Sequence, residues 1–303
     1  QIKIYEQNQA DDTFGFGVVF SAETLGHFRD YDKVSYDRIR QTFAYWDDIV
    51  TYYKGSEIAI GGNGFCGMSR KDMLLILQGC CGEVGIEMEF QREIHSLDQL
   101  RPDADMIIAA NGINSWVRDE FVDHFKPSFD WRPNKFVWLG STKPLPAFTF
   151  DFRENEAGIW NLHAYQYNSE MSTMIVETTE QTWKKAGMEK ASEDETVAYV
   201  SNLYADLLDG HPIITNRSVW RNFPMIRCET WVKDNLVIMG DCAHTAHYSI
   251  GSGTKLAMED AIALFECCKQ EANPREALKL YDASRRDEVE RTQHAADVSL
   301  SWF

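Results

Sequence analysis

The chain lacks any apolar run long enough to cross a bilayer, and it has no excess of positive charge. Lys and Arg number 30 against 47 Asp and Glu, a net charge of -17. Nucleic acid and anionic membranes both attract basic surfaces, so neither is expected as a partner. A phosphorylated cofactor stays open, because backbone N–H groups and a few local cations suffice to hold one. Paired zinc-type cysteines are also missing. The seven cysteines, Cys66, Cys80, Cys81, Cys228, Cys242, Cys267 and Cys268, are odd in number and include two adjacent pairs that do not bridge easily. No C-x-x-C spacing occurs, so no metal is expected, and the thiols read as reduced groups of a cytoplasmic protein. Repeats, low-complexity tracts and Pro/Gly/Ser linkers are absent too, so no clean cut between domains is visible.

What is present is the composition of a large packed core, with 303 residues of which 44% are hydrophobic and 25% charged. Ile2 and Ile4 alternate with Lys3 and Tyr5 in a short strand ending at Glu6. The pattern predicts a helix over 35–50 with Ser35 as N-cap, a strand over 57–60, a helix over 69–82, and strands at 86–90 and 106–110. From Phe136 to Val176 the pattern turns to alternation, which predicts several strands of an antiparallel sheet. Helix returns at 192–209, one buried strand at 236–239, and helices from Gly253 and over 274–299. The order α/β, mostly β, then α/β suits a nucleotide-binding domain interrupted by a second domain.

The richest segment runs Asn235-Leu-Val-Ile-Met-Gly-Asp-Cys-Ala-His-Thr-Ala-His-Tyr-Ser-Ile-Gly-Ser-Gly-Thr254. It reads as a buried strand ending at Gly240-Asp241, a polar loop, and a helix start near Gly251, Ser252, Gly253 and Thr254. Asp241 at a strand's C-terminal edge can accept from sugar hydroxyls. Gly251 and Gly253 let backbone N–H groups approach an electron-rich group. An ordinary βα turn with an Asp cap has the same spacing, and spacing alone leaves both readings open.

That segment resembles the Gly-Asp motif of the para-hydroxybenzoate-hydroxylase-type FAD monooxygenases. Asp105-Met-Ile-Ile-Ala-Ala-Asn-Gly-Ile-Asn-Ser-Trp-Val-Arg118 resembles the family's Asp-Gly motif, with Asn111 where the family usually has Asp. The resemblance implies FAD as cofactor, NAD(P)H as reductant, and O2 as the source of an oxygen placed on an electron-rich aromatic ring. It implies an α/β fold (α+β overall): a GR2-type FAD/NAD(P)-binding domain in two parts, 1–125 and 225–303, around a β-sheet substrate domain at 126–224. Within the family the chain looks like the salicylyl-CoA 5-hydroxylases and 2-aminobenzoyl-CoA monooxygenases. The matching stretches are Asp12 to Ser21, Arg132 to Gly140, His163-Ala-Tyr165, His244 to His247, Ser249 to Gly253 and Trp302-Phe303. The tryptophan-hydroxylating enzyme of violacein synthesis shares parts of the pattern, which leaves a free aromatic substrate as an alternative to an aryl-CoA.

The resemblance assigns Asn111, Gly112, Gly240, Asp241, His244, Gly251, Ser252, Gly253 and Thr254 to the flavin site. It makes Glu6 the acid that bonds the adenosine ribose, and puts Arg70 near the phosphates or the active site. Only five residues precede Glu6, so a glycine loop is expected upstream of Gln1, and an old-yellow-enzyme-like domain downstream of Phe303. A homodimer is a further expectation. A non-catalytic flavin-binding fragment is the rival reading. Gly62-Asn-Gly-Phe-Cys-Gly67 is a literal G-x-G-x-x-G and would suit a plain NAD-dependent dehydrogenase, the lesser reading. For catalysis, His163 and Tyr165 alternate on one strand and so face one side, where they could orient a substrate or move its proton. His247 is the third catalytic candidate. A hydrogen-bonded pair inside the β domain would explain His163 and Tyr165 equally, and the aromatic residues Phe136, Trp138, Phe148, Phe150, Phe152 and Trp160 read as core.

Overall fold

A computed structural model describes residues 1–100 and 104–301, so Trp302-Phe303 lies outside the described residues. Along the chain the first elements are β1 (Lys3–Tyr5), β2 (Gly17–Ser21), α1 (Ala22–Tyr31), α2 (Lys33–Ile39), β3 (Ala44–Trp46), β4 (Ile49–Tyr53), β5 (Ser56–Ile60), β6 (Phe65–Ser69), α3 (Arg70–Glu83) and β7 (Glu87–Glu89). Then come β8 (Ile107–Ala109), α4 (Trp116–Glu120), α5 (Val122–Phe125), β9 (Ser128–Ser141), β10 (Phe148–Glu154), β11 (Ile159–Gln166) and β12 (Ser172–Thr178). The rest is α6 (Glu180–Lys185), α7 (Glu193–Leu203), α8 (Ala205–Leu208), β13 (Ile213–Ile214), β14 (Arg221–Arg227), β15 (Val232–Lys233), β16 (Leu236–Ile238), α9 (Gly253–Gln270) and α10 (Pro274–Leu300). Among the described residues, no helix is long and apolar enough to span a membrane.

The chain divides by compactness into two units: Gln1–Arg92 with Pro133–Phe223, and Glu93–Arg132 with Pro224–Phe303. The first contains the strand order β13-β9-β12-β11-β10-β4-β5 of the large sheet, antiparallel except for the β10–β4 pair. The side-chain period of two splits β9 to β12 into two faces. Val137, Leu139, Trp160, Leu162, Ala164, Met174 and Val176 point one way and form a core with Trp183, Val200, Tyr204 and Leu208 of α6 to α8. Trp160 is therefore core, as its apolar neighbours imply. Phe136, Trp138, Phe148, Phe150 and Phe152 belong to the other face. A second sheet, β2-β6-β3, meets the β11 end of that face so closely that a Cβ on Gly67 would stand 2.4 Å from the Gln166 carbonyl oxygen. Only glycine fits there.

The second unit holds β15-β16-β8, with β16 and β8 parallel. Its core joins Leu236, Val237 and Ile238 to Ile107, Ala109, Leu256, Leu264, Leu278 and Tyr281. The long helices pack on it through i, i+4 stripes.

Two local expectations change. The helix expected over 35–50 spans only Lys33–Ile39 plus one 3-10 turn, with Asp32 as its cap. Asp32 Oδ1 accepts from the Ser35 N–H at 3.1 Å. Beyond Thr42 the aromatic run Phe43-Ala-Tyr-Trp46 goes into a strand, where Trp46 stacks on Tyr165. The Gly62 loop lies between two strands, β5 and β6, rather than between a strand and a helix. Its amides are taken: Asp47 Oδ2 accepts from Gly62 N at 2.8 Å and Oδ1 from Gly64 N at 3.0 Å. A loop already holding its own carboxylate, and opening no helix, gives a dinucleotide pyrophosphate no N-terminal dipole.

Candidate functional site

In the second unit the two strand-end motifs stand side by side. Parallel pairing sets Ile238 opposite Ala109, and the Met239 N–H donates to the Ala109 carbonyl at 3.0 Å. Asn111-Gly112 and Gly240-Asp241 thus follow the C-terminal ends of neighbouring parallel strands, where open α/β sheets bind ligands. Arg118, 1% exposed, joins the two loops by donating to the Ile113 carbonyl at 2.8 Å and the Cys242 carbonyl at 3.2 Å. Cys242 Sγ lies 2.9 Å from Ser115 Oγ, and burial pushes its thiol up to about 11, so it stays protonated.

The Gly-Asp turn is held from behind. Asp260 of α9 is fully buried, and its Oδ2 accepts from the Gly240 N–H at 3.0 Å. His244 Nε2 lies 2.9 Å from the same oxygen, and Arg285 Nε donates to Oδ1 at 3.0 Å. Burial pushes the Asp260 carboxyl up, but His244 and Arg285 outweigh it and hold it below its ordinary value. His244 is 2% exposed, with its ring 5.0 Å from Trp231. His247, 1% exposed, accepts from the Ser249 N–H through Nδ1 at 3.3 Å and so caps the next 3-10 turn. Lys255 pairs with Glu259 at 3.2 Å.

The front of the turn is open in the way a flavin requires. Asp241 is exposed at the end of β16. Helix α9 has 18 residues and starts without a side-chain cap, whereas Ser69, Ser192 and Asn273 cap α3, α7 and α10. The N–H groups of its first turn thus have no capping side chain, and the positive end of the helix dipole lies there. Ser252 Oγ, in a residue 4% exposed, has no hydrogen-bond partner among the described residues. Gly251 turns the chain into the helix at φ +62°, and a Cβ there or on Gly253 would meet nothing within 4 Å. Carboxylate, free amide donors, unpartnered hydroxyl and open space suit the hydroxyls and anionic groups of FAD. The residues fit the group.

The remaining candidates are in the first unit. The Glu6 carboxylate is engaged locally, accepting from Asn8 N and Nδ2, both at 2.7 Å. Arg70 opens α3, donates from Nε to the Gly17 carbonyl at 3.1 Å and lies 5.4 Å from the Trp138 ring centre. His163 and Tyr165 do share a face, with Phe150 edge-on to the imidazole at 5.1 Å and Phe148 stacked on the phenol ring at 5.6 Å. The Tyr165 hydroxyl donates to the Gly17 carbonyl at 3.0 Å, and burial pushes its pKa up, so it stays protonated. Sequence reasoning passed over Arg118, Asp260, Arg285, Asn161 and Glu177. Arg118 was visible inside the Asn-Gly segment, and Asp260 as an acid on the apolar stripe of α9; the others had no local signal.

The FAD binding domain family matches residues 59–296. The chain belongs to this FAD-binding family of aromatic hydroxylases. Salicyloyl-CoA 5-hydroxylase of a Streptomyces species is 38% identical over the whole chain, which spans 60% of that protein's length. A 3-hydroxy-4-methyl-anthranilyl-[aryl-carrier protein] 5-monooxygenase of Streptosporangium sibiricum is 31% identical over the whole chain, which spans 82% of it. Among solved structures, tetrameric 2-methyl-3-hydroxypyridine-5-carboxylic acid oxygenase superposes with a TM-score of 0.81 over 99% of this chain and 84% of that one. At 14% identity that likeness shows the fold.

Proposed function

We propose that the chain carries the flavin and substrate sites of a cytoplasmic monooxygenase that hydroxylates the ring of an aryl-CoA thioester such as salicyloyl-CoA or 2-aminobenzoyl-CoA. The observation that carries this reading is the whole-chain similarity to two proteins named for aroyl groups on a carrier, both acting at ring position 5. Position 5 is para to the 2-hydroxyl of a salicyl ring and to the 2-amino group of an anthranilyl ring. An electron-donating substituent there directs electrophilic oxygen to the para carbon.

In this reading Asp241 accepts from the ribityl hydroxyls of FAD, and the N–H groups of Gly253 and Thr254, with Ser252 Oγ, meet an electron-rich edge of the cofactor. Asn111-Gly112 borders it, Asp260 and Arg118 hold the loops, Glu6 keeps the adenosine-ribose role the resemblance gives it, and Arg70 its place near the phosphates or the active site. When bound, FAD supplies the redox chemistry, with electrons from NAD(P)H and oxygen from O2. The chain's own tasks are to orient the ring, exclude water and move a proton. Phe136, Trp138, Phe148, Phe150 and Phe152 offer an aromatic platform, and His163 is the imidazole on that face, a group that can hold or move a substrate proton. Tyr165, kept protonated, acts only as a donor and spacer.

The test is FAD-loaded protein with NADH, O2 and salicyloyl-CoA or 2-aminobenzoyl-CoA, set against the free acids and tryptophan. Aryl-CoA-dependent NADH oxidation with an oxygenated product is expected. Turnover of the free compounds alone would overturn the thioester assignment, and no oxygenated product from any of them would overturn the enzyme. A carrier-protein thioester is the second reading, favoured by the Streptosporangium relative. The same acyl group on an acyl carrier protein separates the two.

A further inference from the structure

We propose that Glu177 is a positioning residue that acts through His163: it fixes the imidazole tautomer and stabilises the imidazolium formed when the substrate ring gives up a proton. The proposal rests on the hydroxylase reading above and names a residue that reading does not use.

Glu177 reaches His163 from the neighbouring strand. In the β11–β12 register Glu177 is opposite Asn161, two residues from His163, so all three side chains share the aromatic face. Glu177 Oε2 lies 3.4 Å from His163 Nε2, and Oε1 accepts from Asn134 Nδ2 at 2.8 Å. Asn161 Nδ2 stands 2.8 Å from the same imidazole nitrogen. Exposure is 2% for His163, 1% for Glu177 and 4% for Asn161. A carboxylate this far from water is costly unless it faces a group that can carry a positive charge. An imidazole beside it does so on protonation.

The carboxamides complete the device. Asn161 Oδ1 is buried without a hydrogen-bond partner. Turning that amide over exchanges its donor and acceptor at Nε2, so Asn161 serves a bare or a protonated nitrogen equally. With the proton on Nε2, held toward Glu177, Nδ1 becomes the basic nitrogen. For a hydroxyl substrate such as salicyloyl-CoA the step then balances: the O–H bond of the ring hydroxyl breaks, a new N–H bond forms on His163, and the electron pair stays on the oxygen. That raises electron density at the para carbon. The proton returns when the hydroxylated ring regains aromaticity, and nothing is oxidised or reduced in the transfer.

The test uses FAD-loaded full chain labelled with 15N-histidine. Wild type should show His163 in the Nε2–H form, and Glu177→Gln should move its ring-nitrogen shifts toward a tautomer mixture. With salicyloyl-CoA, Glu177→Gln should lower kcat about 100-fold and leave KM within about threefold, since the lost interaction develops in the transition state. Glu177→Asp should recover part of the loss, which simple cavity damage would not allow. Combined with His163→Gln, Glu177→Gln should cost nothing more, because it acts through that ring. Unchanged nitrogen shifts and kcat in Glu177→Gln, or losses that add in the double variant, would overturn the proposal. Absence of turnover in wild type would instead sink the hydroxylase reading, and the nitrogen shifts would still decide whether Glu177 sets the state of His163.

Discussion

His163–Glu177 in the first unit and His244–Asp260 in the second are both buried histidine–carboxylate pairs, yet their surroundings set them different tasks. Asp260 is gripped at 2.9 to 3.0 Å by an imidazole, a guanidinium and a backbone N–H. Arg285 is charged at every accessible pH, so that carboxylate has a permanent counter-charge and a permanent negative charge. Glu177 and His163 are 3.4 Å apart and flanked by the carboxamides of Asn134 and Asn161. Carboxamides donate and accept, and they tolerate either protonation state. One pair is built to keep its charge and so to hold a loop. The other is built to let a proton come and go.

The largest effect expected from that difference is on stability. Asp260→Ala leaves Arg285 buried without its main partner and should cost about 3–5 kcal/mol. Glu177→Gln keeps the side chain's shape and should cost about 1 kcal/mol. Urea denaturation of both variants compares them, and equal losses would erase the distinction. The pairs should also differ in acid. The folded-state pKa of Asp260 is depressed, so its contribution is present above its unfolded value and lost as pH falls through the folded value. Wild type should therefore lose stability below about pH 4, and Asp260→Asn should show a shallower acid limb. Asp241 is exposed in front of the same turn, and in the proposed reading it accepts from the ribityl hydroxyls. Asp241→Ala should weaken FAD binding by about 1.5–3 kcal/mol, read by flavin fluorescence titration, with the apo protein's Tm unchanged.

The contrast also marks what the sequence could tell. Period-two alternation placed His163 and Tyr165 on one face, and two strand-end motifs pointed at Asn111-Gly112 and Gly240-Asp241; each is a local pattern. Glu177 meets His163 only through the β11–β12 register, and a one-residue slip would turn it away. Asp260 reaches Gly240 across 20 residues, and Arg285 reaches Asp260 across 25. Such contacts leave no mark on spacing. Residues 43–46 went astray for the opposite reason. The helical pattern of Ser35 and Ile39 ran into an aromatic stretch that pairs as a strand with β6 and stacks Trp46 on Tyr165, more than a hundred residues away. The Gly62 loop matched a motif by letter, while its amides were claimed by Asp47.

The smallest expected effect sharpens the comparison inside the first unit. Tyr165 shares the face of His163, but its hydroxyl is committed to the Gly17 carbonyl. That carbonyl also accepts from Arg70 Nε at 3.1 Å, so Tyr165→Phe leaves no buried acceptor bare. Its cost should fall at the low end for a neutral hydrogen bond, about 0.5–1 kcal/mol. The ring still stacks between Trp46 and Phe148, so the platform keeps its shape. The expected result is a Tm lower by a few degrees and a kcat within about twofold of wild type, against the roughly hundredfold loss expected for Glu177→Gln. A Tyr165→Phe enzyme as impaired as Glu177→Gln would mean that the phenol, not the His163–Glu177 pair, handles the proton on this face.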